Sequence, residues 1–144
     1  MSVGNKLPMT EAKGEMNQLT RQQRRELDQL QLEQFMAQFT GEKEQVAELM
    51  EMLLGGTDFL AQLAADVIAE KIPKRQSIAT LTKSLLSSRV QADLVARART
   101  LRLLERLGPV PRTSLPIIRA LGKSPSHPRV AAIAKRVLQL SRPA

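Results

Sequence analysis

The sequence predicts an all-α protein, a compact bundle of about six to seven short helices with a flexible N-terminal tail, and three observations carry that prediction. Apolar residues recur at spacings of three and four in one segment after another. Capping residues, glycines and prolines bracket those segments. Only three aromatics occur, Phe35, Phe39 and Phe59, so the core must be built from Leu, Ile, Val, Ala and Met. At 144 residues the chain can bury such a core without metal or disulfide help.

Residues 1–19 hold Gly4, Pro8 and Gly14 without sustained periodicity and are expected to form a mobile tail. Thr20-Arg21-Gln22-Gln23 has capping-box spacing and opens an amphipathic helix through Leu27, Leu30 and Phe35 to about residue 39. After Thr40-Gly41, a second helix over about 42–54 turns Val46, Leu49, Met50, Leu53 and Leu54 inward. Its Glu42, Glu44, Glu48 and Glu51 read as a solvated face and not as a metal or acid-base site, since the four share one exposed face without a histidine. Gly55-Gly56 is a tight turn; it lacks the lysine and Ser/Thr of a phosphate-binding loop. Thr57 caps a third helix running to Lys71 through Phe59, Leu60, Leu63, Ala64, Val67 and Ile68, and Pro73 ends it.

A fourth helix over about 74–86 buries Ile78, Leu81 and Leu85. Ser88 to Gly108 reads as one long helix opened by a capping box of Ser88 and Gln91. Val90, Leu94, Ala98, Leu101 and Leu104 form its apolar stripe, and Arg99, Arg102 and Arg106 form a second ridge suited to an acidic partner. Gly108, Pro109 and Pro111 forbid continuation. An extended Pro109–Arg112 linker leads to a short helix capped by Thr113 or Ser114, with Pro116 in its first turn. The last helix starts at His127-Pro128 and continues through Val130, Ile133, Ala134, Val137 and Leu138 to about Leu140.

Charge divides the chain. Residues 1–72 carry 7 basic and 12 acidic side chains, whereas residues 73–144 carry 15 and 2. The expected organisation is therefore a tail over 1–19, an acidic helical half over 20–72 and a basic helical half over 73–144. The two halves are also compatible with one continuous domain over 20–144. A positive field of this size draws phosphates, anionic surfaces or acidic protein segments. Arg99, Arg102, Arg106, Arg112, Arg119, Lys123, Arg129, Lys135 and Arg136 are the candidate contacts.

Residues 114–142, from Ser114-Leu115-Pro116-Ile117-Ile118 through Val130, Ala134-Lys135-Arg136 and Leu138, resemble the last two helices of the N-terminal domain of transcript-cleavage elongation factors. Elongin A and a Mediator subunit share that domain. Leu101 to Leu107 is similar to the family's preceding helix. The resemblance implies a helical bundle that binds short disordered motifs in transcription proteins. Two departures stand out: Gly108 to Ser114 is shorter than the family's intervening helix, and no tryptophan follows the last helix.

Nothing in the sequence points to an enzyme, a cofactor or a metal. There is no cysteine, His127 is the one histidine, and the basic half offers only Asp93 and Glu105 as carboxylates for a hydrolytic triad. No apolar run approaches the roughly 20 residues of a membrane helix. The expectation is a soluble intracellular protein of the cytoplasm or nucleus that acts as a protein-interaction module or assembly subunit, binding an acidic partner. The alternative is a nucleic-acid binder contacting phosphates with little sequence preference. The absence of aromatics after Phe59 argues against base stacking on a single strand.

Overall fold

A computed structural model describes residues 19–124 and 126–141, and among these it contains eight α-helices, one 3₁₀ turn and no strand. The helices are α1 (Arg21–Ala37), α2 (Lys43–Gly55), α3 (Asp58–Lys71) and α4 (Lys74–Leu85), followed by α5 (Ser88–Gln91), α6 (Leu94–Leu107), α7 (Leu115–Gly122) and α8 (Pro128–Leu140). The fold is all-α, as the periodicity predicts. The tail expected over residues 1–19 lies, apart from Leu19, outside the described residues.

The chain forms two compact units whose boundary falls between Gln38 and Phe39. The first contains α1, opened by the predicted capping box: the Thr20 hydroxyl accepts from the Gln23 amide and the Gln23 side chain accepts from the Thr20 amide. Leu27 and Leu30, expected on a buried stripe, are about half exposed. The second unit contains every other helix among the described residues. Pro73 therefore divides the charge without dividing the structure, since α2 and α3 from the acidic half pack against α6 from the basic half.

Within the second unit α6 is the central element, touching α2, α3, α4, α5 and α8, while α7 pairs with α8. Leu49, Ile68, Leu81, Leu101, Leu104, Ile118 and Ile133 are almost completely shielded from solvent and constitute the core. Removing each such side chain from water contributes roughly 1.5–3 kcal/mol. Short polar links fix the connections. Gln45 Oε1 accepts from the Thr40, Gly41 and Glu42 amides and so closes the turn before α2. Thr57 caps α3 by accepting from the Leu60 amide at 3.1 Å. A hydrogen bond of 2.9 Å joins Thr82 of α4 to the buried Ser114.

The long helix expected over Ser88–Gly108 is two helices. Ser87, not Ser88, caps α5 by accepting from the Val90 amide. The chain then breaks, and Asp93 Oδ1 accepts from the Val95 and Ala96 amides at 3.0 and 3.2 Å to start α6. Asp93 competes with the helix as a short carboxylate does, offering its oxygen to backbone amides that a continuous helix would bond to carbonyls. Leu94, placed on the apolar stripe by periodicity, is consequently about half exposed. Residues 112–114 form a 3₁₀ turn where an extended linker was expected to end, and Ser114 makes no side-chain cap to α7.

Candidate functional site

The arginines of α6 set the geometry of the most prominent surface feature. Arg99, Arg102 and Arg106 share one side of the helix, as their spacing requires, but they meet different surroundings. Arg99 is turned inward with only 14% of its side chain exposed. Its Nη1 donates to the carbonyls of Leu53, Leu54 and Gly56 at 3.1, 3.4 and 2.9 Å, and Nη2 donates to Asp58 at 2.7 Å. A guanidinium is suited to this place, because the end of α2 presents carbonyls without helical partners and the negative end of its dipole. Gly56 is required here: a Cβ would come within 2.5 Å of the Met52 carbonyl oxygen.

Arg106 pairs with Asp66 of α3 at 2.5 Å, and Arg136 of α8 pairs with Glu105 at 2.8 Å. Arg89 pairs with Glu51. Arg102, by contrast, is exposed and has no acidic partner among the described residues. The same holds for Arg129 at the start of α8, and for Arg112, Arg119, Lys123 and Lys135 around α7 and α8. Of the nine basic residues singled out by sequence, the structure thus turns Arg99 inward, pairs Arg106 and Arg136 at the surface, and leaves six without a carboxylate.

An open groove of about 820 Å³ runs between α3, the exposed side of α6 and the start of α8. Ala61 and Ala65 from α3 and Ala98 from α6 line it with small side chains, and Leu53, Leu103 and Val130 add apolar surface. Leu94 and Val95 lie at its α6 N-terminal end, 46% and 55% exposed. Arg102 and Arg129 contribute unpaired positive charge from two different helices. His127 also lines the groove; it occupies the N-cap position of α8, but its side chain makes no cap hydrogen bond.

Arg102 and Arg129 were legible as cations, but the groove between them was not. Two features of the sequence bear on it: Leu94 and Val95 are adjacent apolar residues at the start of α6, and alanines recur at 61, 65 and 98. Among the described residues no three His, Asp or Glu side chains converge to hold a metal ion. Among them too, no helix is long and apolar enough to cross a membrane. Comparison with protein-family models, with curated proteins and with solved structures finds no match to this chain.

Proposed function

We propose that this protein is a non-enzymatic interaction module or assembly subunit that receives an acidic protein segment on the second compact unit. One observation carries the reading: Arg102 and Arg129 are unpaired cations flanking an apolar groove. Charges left without partners at the rim of an apolar depression steer and orient an anionic ligand, while the apolar floor supplies burial energy. The internal use of Arg99 and Arg106 narrows the binding face to fewer arginines than the whole ridge. The resemblance of residues 114–142 to the elongation-factor domain supports an acidic segment of a transcription protein as the partner, met in the cytoplasm or nucleus.

A second reading rests on a different observation. Arg112, Arg119, Lys123 and Lys135 are exposed cations on or beside α7 and α8, and charges of this kind suit phosphate contacts with DNA or RNA of any sequence. Titration of the full chain with polyglutamate, random duplex DNA and RNA over a range of salt separates the two. The interaction-module reading expects binding to polyglutamate that Arg102→Glu weakens. Tighter binding to either nucleic acid, with a steep logarithmic salt slope and no dependence on Arg102, would replace it with the second reading.

A further inference from the structure

The groove specifies more about its occupant than negative charge. Along α6 its features are ordered: exposed Leu94 and Val95 at one end, alanine-lined space around Ala98 in the middle, and Arg102 beyond. Arg102 stands eight positions after Leu94, so about 12 Å of helix axis lies between the apolar end and the cation. Arg129, from the start of α8, adds positive charge to the same groove. Asp58 of α3 also lines the groove, its carboxylate held by Arg99, and Asp66 on the same helix is held by Arg106.

We infer that the groove takes an amphipathic α-helix with one fixed register: an aliphatic residue at the Leu94–Val95 end, a bulky apolar residue about one turn on, and an acidic residue two turns on. This deepens the proposed function and rests on it. A helix is favoured over an extended peptide because the described residues contain no strand to which an extended backbone could add, whereas a helix bonds its own amides and carbonyls. The small side chains of Ala61, Ala65 and Ala98 leave the depth that a leucine or phenylalanine of the partner fills. Arg102 and Arg129 then meet the partner's carboxylates, answering charge that the chain's own acidic residues do not.

The test uses the full chain and three synthetic peptides of identical composition, each with one proline that stands at the first helical position in the first two, with binding read by calorimetry up to about 1 mM. The first places leucines at positions i and i+4 and glutamates at i+7 and i+8. The second moves the glutamates to the opposite face, and the third has a proline in its centre. The first peptide is expected to bind at least about tenfold more tightly than the others. Arg102→Glu should remove that preference and create one for a version with lysines in place of glutamates. Ala65→Phe, which fills the floor without changing charge, should abolish binding while the circular dichroism of the protein stays the same.

Equal binding of all three peptides, still weakened by Arg102→Glu, would overturn the helical register and leave the acidic-partner reading standing. Absence of binding by any acidic peptide would overturn both. Peptide-induced self-association, or binding that depends on Lys123 and Lys135 and not on Arg102, would place the partner elsewhere and overturn the groove.

Discussion

Arg99 shows how one side chain can change its meaning between sequence and structure. Its spacing from Arg102 and Arg106 was readable, but its acceptors lie more than 40 residues earlier in the chain, and no local pattern reveals such a partner. Burial separates the three arginines: the inward one supports the fold, the paired one adds little, and the solvated one meets no carboxylate among the described residues. Charged hydrogen bonds to otherwise orphaned carbonyls contribute about 1.5–3 kcal/mol, so Arg99→Met is expected to cost about 2–3 kcal/mol in urea unfolding. Arg99→Lys should recover only part of this, because an ammonium lacks the planar fork that serves carbonyls and carboxylate together. Asp58→Ala should leave the midpoint nearly unchanged, since the Asp58 side chain is almost wholly in water. A large loss from Asp58→Ala with none from Arg99→Met would contradict this assignment.

At the scale of elements the sequence was most informative where a terminus has local chemistry. Thr20, Thr57 and Pro128 mark helix starts where their residue types predict, and Gly108 stops α6 with φ +103°. The division between α5 and α6 is hidden in the sequence because Val90 before it and Ala98, Leu101 and Leu104 after it are buried, keeping a helical rhythm across the interruption. Asp93 is the local signal of the break. Asp93→Ala is expected to lower stability by about 1 kcal/mol, with Asp93→Asn or Asp93→Ser retaining most of it, as measured by thermal unfolding. Gly108→Ala should cost about 2 kcal/mol, because a φ of +103° disfavours any side chain even though its nearest neighbour, the Lys74 ammonium, can move away. Equal stability of Gly108→Ala and the parent would show that the end of α6 can be rebuilt without glycine.

For the whole molecule, charge is distributed differently from what the division at Pro73 suggested. Residues 1–38 carry 5 basic and 5 acidic side chains, so the unit from Phe39 onward, with 17 and 9, holds the entire net charge of +8. Its ion pairs between Arg89 and Glu51, Arg106 and Asp66, and Arg136 and Glu105 lie at the surface, where each contributes less than about 1 kcal/mol. Self-repulsion among the unanswered cations opposes the compact state and is screened over the same distances as those pairs. With unpaired cations in excess, screened repulsion should outweigh screened attraction. Raising salt from about 0.02 to 0.3 M is therefore expected to raise the unfolding temperature by a few degrees and to weaken the acidic helical peptide about tenfold or more. Opposite responses of stability and binding follow when the same cations repel one another in the free protein and attract the ligand in the complex. Arg102→Gln should reduce both responses, whereas a salt-dependent fall in unfolding temperature would mean that the internal pairs dominate and that few cations are left to recruit a partner.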